Sequence, residues 1–81
     1  MLKMEVNSKL SPEKIVDKLK GFFGESGLGL RLEDESDQCL SFHGGGGYVT
    51  ATLCPEGSKT RIEFVTQEWE IQVKNFASDL N

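Results

Sequence analysis

Histidine occurs once in this chain and cysteine twice, tryptophan and tyrosine once each, and proline twice. Two cysteines and one histidine without paired spacing supply neither a disulfide scaffold nor a structural zinc site. They fit a reducing compartment, and a cytoplasmic location is the expectation. Cations are also short. Nine Lys and Arg against thirteen Asp and Glu give a net charge of −4, the wrong sign for a protein that grips a phosphate backbone, so no nucleic-acid partner is expected. The opening MLKMEVNSKL has no long apolar run and no small-residue cleavage site, so neither a membrane span nor a signal peptide is expected. Internal repeats and linkers are missing, and 81 residues make a single domain, 1–81. A core of this size is barely sufficient for folding, which leaves little apolar surface to line a ligand cavity.

What the chain does have is glycine at two places that organise its centre. Gln38 to Thr66 reads as three antiparallel strands, QCLSFH, YVTATLC and KTRIEFVT, joined by GGGG and PEGS. Taken as a four-residue loop, Gly44 to Gly47 sets His43 opposite Tyr48, Phe42 opposite Val49, Leu40 opposite Ala51 and Cys39 opposite Thr52. A second four-residue loop, Pro55 to Ser58, predicts Leu53 opposite Thr60, Ala51 opposite Ile62 and Val49 opposite Phe64. Side chains alternate with period two, so a one-residue slip would send Phe42, Val49, Leu53 and Phe64 to the polar face.

Leu2, Met4 and Val6 alternate with Lys3, Glu5 and Asn7, the pattern of a half-buried strand. Ser11-Pro12-Glu13 is a helix start, with Ser at the N-cap, and Ile15, Val16, Leu19, Phe22 and Phe23 form one apolar stripe. Gly24 is placed to end this helix in a left-handed conformation, while Gly21 marks either a close approach to the sheet or early fraying. Leu28, Leu30 and Leu32 alternate as a second strand that returns through Glu35-Ser36-Asp37, with Leu32 opposite Leu40 and Leu30 opposite Phe42. Thr66 is placed to cap a final helix with stripe Trp69, Val73, Phe76, Ala77 and Leu80, off which Ile71 falls.

One apolar face on the sheet and one stripe on each helix predict a two-layer α+β sandwich, β-α-β-β-β-β-α, with strand order 1-5-4-3-2 and both helices on the same face. This succession resembles the TATA-box-binding-protein-like fold. The run GGGGYVTATLCPEGSKTRIEFVTQEWEIQVKNF is similar in style to the C-terminal half of the START-like helix-grip proteins, with a Pro-Glu-Gly turn, a Thr-rich strand and an aromatic-bearing closing helix. That resemblance implies a shortened helix-grip domain, with an apolar ligand between sheet and closing helix near Phe64, Trp69 and Phe76.

The chemistry-bearing residues are few. His43 and Tyr48 sit across the polar face beside Gly44, Gly45, Gly46 and Gly47. A cross-strand aromatic contact outweighs a catalytic pair there, for want of an assembled nucleophile and acid. The glycines lead into a strand rather than a helix N-terminus, so phosphate binding is disfavoured and a mobile contact loop is preferred. Cys39 and Cys54 face one side at a strained diagonal and are expected as free thiols, and His43 is too far along the strand to join them on a metal. Glu33, Asp34, Glu35 and Asp37 lack the ligand spacing of a calcium loop.

These readings point to a small non-catalytic interaction module that meets a protein partner, or a second copy of itself, through its open sheet face and glycine hairpin, with His43, Gly44 to Gly47 and Tyr48 as contact residues. No cofactor and no metal are expected. The alternative is a carrier of a small apolar ligand, enlarged by dimerisation.

Overall fold

The computed structural model describes residues 1–80. The order is β1 (Leu2–Ser8), α1 (Pro12–Phe23), β2 (Arg31–Glu35), β3 (Cys39–Gly44), β4 (Gly47–Glu56), β5 (Lys59–Gln67) and α2 (Glu70–Ser78). The strands form one antiparallel sheet in the order β1-β5-β4-β3-β2. This is the α+β architecture that the alternation and the two stripes call for.

Both hairpins turn more tightly than four-residue loops. Gly44 pairs with Gly47, so only Gly45 and Gly46 turn, at φ of 60° and 81°. Two successive positive φ values twist a turn in the same sense as the strands it joins, and glycine adopts them without steric cost. The β3–β4 pairs are those expected, His43 with Tyr48 through Cys39 with Thr52. In the second hairpin Glu56 pairs with Lys59, so Gly57-Ser58 alone turns. That moves the partners by two: Leu53 lies opposite Ile62, Ala51 opposite Phe64 and Val49 opposite Thr66, in place of Thr60, Ile62 and Phe64. A shift of two preserves every face, which is why alternation could not detect it.

Pro55 is therefore a strand residue, and the ladder explains why it is tolerated. Leu53 donates its N–H to Gln38 O across β3, so the backbone of Pro55, two residues on, faces the same side, beyond the start of β3 at Cys39. The donor that proline lacks has no partner to lose.

The second strand departs further from its expected form. Leu32 pairs with Phe42 and Arg31 with His43, and a bulge at Glu33 then sets Asp34 opposite Ser41 and Glu35 opposite Leu40. Leu30 lies beside Gly44, whose missing Cβ would stand 3.4 Å from it, and Leu28 is outside the strand and exposed. The bulge re-aims the following side chains. Glu35 reaches Lys20 of α1 at 2.8 Å, a contact that a regular strand would have directed elsewhere.

Ser11 caps α1, its Oγ accepting from the N–H of Lys14, with Pro12 at the first helical position. Gly24 closes the helix in extended rather than left-handed geometry, φ −73° and ψ −167°, and Gly29 instead takes the positive φ. Gly21 has nothing within 4 Å of its missing Cβ, so it marks no close approach to the sheet. At α2 the expected cap is also displaced. Thr66 is a buried residue of β5 whose hydroxyl donates to Tyr48 O at 2.7 Å, Trp69 holds the N-cap position without a side-chain bond, and Glu70 accepts from the N–H of Glu68. Hydrogen bonding within the sheet has taken Thr66 out of competition for the helix.

The core lies between the sheet's inner face and the two helices. Ile15, Leu19 and Phe23 of α1 and Val73, Phe76 and Ala77 of α2 meet Leu40, Phe42, Val49, Ala51, Leu53, Ile62 and Phe64 of the sheet, all buried. Phe76 meets Phe22 and Phe23 at tilted angles, with centroids 5.3 and 5.4 Å away, and Phe64 edge-on at 6.0 Å, so one ring joins both helices to β5. The buried polar residues at the core's margins are all bonded: Ser8 Oγ donates to Leu80 O, Thr60 Oγ1 to Leu10 O and Thr66 Oγ1 to Tyr48 O. Ile71 is 70% exposed, as its place off the stripe predicts.

Phe64→Ala removes a fully buried ring that Phe76 leans on. It is expected to cost about 3–5 kcal/mol in urea denaturation, and a loss under about 1 kcal/mol would show that the ring is not a core element.

Candidate functional site

The inner face is consumed by the core, so groups free to act lie on the outer face. Register arranges them in rows across the strands. One row runs Gln67, Tyr48, His43, Arg31; the next Lys3, Val65, Thr50, Ser41, Asp34; the third Glu5, Glu63, Thr52, Cys39; the last Asn7, Arg61, Cys54.

The structure brings His43 and Tyr48 together as expected, with ring centroids 6.1 Å apart and planes at 34°. Tyr48 extends to Met1, its hydroxyl 3.5 Å from the thioether sulfur. Beside them a hydroxyl chain links the rows: Thr50 Oγ1 and Ser41 Oγ are 3.1 Å apart, and Ser41 Oγ lies 3.2 Å from His43 Nε2. A serine within hydrogen-bond reach of an imidazole meets the first geometric requirement of nucleophilic catalysis. Here the same hydroxyl is shared with Thr50, and the pair lies two residues apart on an open strand, where water is not excluded. The arrangement orients the imidazole on the sheet.

Neighbouring groups pack closely on parts of the glycine turn. The Trp69 indole N–H donates to Gly44 O at 2.9 Å, and the ring covers the turn so closely that a Cβ on Gly45 would stand 2.7 Å from Cζ2. On the other side, a Cβ on Gly47 would meet Gln67 O and Glu68 Cβ. Gly46 has open space around it. Glycine is thus required at Gly45 by both φ and the indole, and at Gly47 by the close approach of β5's end. Trp69, expected on the apolar stripe of the closing helix, is half-buried and ties α2 to the hairpin that carries His43 and Tyr48. A lone tryptophan at the head of an apolar stripe gives no sign in sequence of a bond to a carbonyl 25 residues away.

The opposite end of the face is charged. Arg61 lies 3.4 Å from Glu5, 3.6 Å from Glu56 and 3.9 Å from Glu63. Its Nε is buried without an aligned hydrogen bond, so the pair with Glu5 is ionic contact only. The neighbouring Cys54 sulfur, followed by the Glu56 carboxylate, raises the guanidinium pKa above its ordinary value. One cation thus holds together three strands' worth of carboxylates that would otherwise repel, Glu5 and Glu63 being directly opposite each other. Cys39 and Cys54 are free and half-buried. Within the acidic run Glu33 pairs with Arg31 and Glu35 with Lys20, exposed ion pairs each contributing at most about 1 kcal/mol. Among the described residues no three metal-ligating side chains converge, and no helix is long and apolar enough to cross a membrane.

The two turn glycines give a contrast that tests the clamp. Gly46→Ala should cost about 1–2 kcal/mol, the strain of a left-handed alanine, with Trp69 fluorescence unchanged. Gly45→Ala adds the clash with the indole and should cost more, with a red-shifted Trp69 emission; equal costs and identical spectra would refute the packing of Trp69 on the turn.

No protein-family model matches this chain, and no curated protein matches it either.

Proposed function

We propose that this chain is a non-catalytic interaction module that binds a protein partner through the hairpin end of its outer sheet face, with Tyr48 and His43 as contact residues. The observation that carries this reading is the division of labour between the faces. The inner face and both helices are spent on one core, whereas the outer face ends in Tyr48 and His43, amphipathic groups that flank a turn bonded by Trp69, with Met1 against the Tyr48 hydroxyl. A rigid platform loses little conformational entropy on binding, and tyrosine combines apolar area with a hydroxyl, which is why it recurs at contact centres.

The carrier alternative requires space between sheet and closing helix. Phe64, Phe76, Phe22 and Phe23 occupy that position in ring-to-ring contact, and Trp69 is turned to the hairpin. The geometry favours the surface over the interior.

Tyr48→Ala is expected to weaken partner binding tenfold or more, about 1.4 kcal/mol, while circular dichroism and the melting temperature stay close to wild type. The partner is captured from the source cell, purified and titrated into the isotope-labelled chain. Chemical-shift changes confined to α1 and α2, with Tyr48→Ala binding as well as wild type, would overturn the reading.

A further inference from the structure

The sheet has two open edges, and they differ. β2 is five residues long, bulged at Glu33 and acidic, all features that discourage another strand from pairing. β1 pairs with β5 over seven residues without a register shift and contains no proline. Its inner-face residues Leu2, Met4 and Val6 are only half-buried, and its outer-face residues are Lys3, Glu5 and Asn7.

Ladder geometry tells which backbone groups β1 leaves unpaired. Leu53 bonds across to Gln38, so odd-numbered residues of β4 bond β3 and even-numbered ones bond β5. Carried through the registers, even-numbered residues of β5 bond the even-numbered residues of β1. The N–H and C=O groups of Lys3, Glu5 and Asn7 therefore point away from the sheet.

We propose that β1 is a homodimerisation edge: two copies of this chain pair their β1 strands antiparallel about a dyad at Met4, forming one continuous sheet. This is independent of the partner surface at Tyr48. The choice of occupant follows from charge. Keeping apolar faces continuous requires odd residues to oppose odd ones. A dyad at Lys3 sets Lys3 against its own copy, and one at Glu5 sets Glu5 against its own copy. A dyad at Met4 sets Lys3 opposite the partner's Glu5, and Glu5 opposite the partner's Lys3. It also sets Met4 against the partner's Met4 and Leu2 against the partner's Val6, and the outward groups of Lys3 and Glu5 fall in hydrogen-bonding pairs. The strand is complementary to itself in this register and self-repelling in the two adjacent ones.

The helices leave room. α2 packs over β5 and runs alongside β1, Glu70 lying 4.0 Å from the Met1 amino group and Leu80 O accepting from Ser8. With strands about 4.8 Å apart, a helix above β5 stands roughly 7 Å from the dyad, so the two α2 helices would be about 14 Å apart. Contacting helices stand about 8–10 Å apart, so the two do not clash. The half-buried Leu2, Met4 and Val6 of both copies lie beneath the gap.

Sedimentation velocity over a concentration series tests this on the full chain. Wild type should shift from monomer to dimer, and Lys3→Glu or Glu5→Lys alone should raise the dissociation constant on the order of tenfold or more, since each replaces two attractive pairs with two repulsive ones. The double variant Lys3→Glu/Glu5→Lys restores complementarity and should return toward wild type. Glu5→Pro removes an outward N–H without touching the ladder to β5, and should be monomeric with a wild-type circular dichroism spectrum. A wild type that stays monomeric at millimolar concentration, or a dimer unmoved by single reversals, would overturn the proposal. Should Glu5→Pro fail to fold, the reversal and its rescue decide alone.

Discussion

Phe76 is the contact on which the two-layer arrangement depends. Its ring touches Phe22 and Phe23 of α1 and Phe64 of β5, so one side chain of α2 joins the three parts of the core. A domain of this size has one core and no redundancy. The aromatic group supplies large buried area at the point where two helices and a sheet converge, through tilted and edge-on ring contacts. The placement of α2 follows, and with it the placement of Trp69 at its N-terminal end.

Trp69 carries that order outward. Its indole bonds Gly44 O and covers Gly45, so the same helix that completes the core also holds the hairpin at the edge of the outer face. Tyr48 and His43, the contact residues we propose, flank that turn directly. Core packing and surface geometry are thereby coupled through one helix. A change that loosens α2 would be felt at Tyr48 without any residue of the outer face being altered.

The outer face is organised by compensation rather than by convergence. Arg61 offsets three carboxylates, Lys20 and Arg31 take two more from the acidic second strand, and the hydroxyls of Thr50 and Ser41 run to His43. Within strands, between strands and from helix to strand, these contacts keep a mixed surface compatible with water. The two edges differ: β2 is short, bulged and mostly acidic, whereas β1 is regular and alternates Lys3 with Glu5 on its outer face.

The sequence by itself determined which residues share a face, that five strands meander with two helices on one side, and where α1 starts, because alternation with period two, a stripe with period 3.6 and the Ser11-Pro12 cap are local signals. His43 opposite Tyr48 was legible for the same reason, the glycines allowing one turn compatible with the apolar pairing. The β4–β5 partners were misplaced by two, since a shift of two leaves every face unchanged and only the backbone of Gly57-Ser58 decides it. The bulge at Glu33 was hidden in a run of acids that reads the same in or out of register. Thr66 looks like a cap in sequence, but its hydroxyl is held by Tyr48 O on a neighbouring strand. The bond from Trp69 to Gly44 and the unpaired, self-complementary edge of β1 were decided only by tertiary structure, because both depend on which segments lie beside one another after the chain has closed its core.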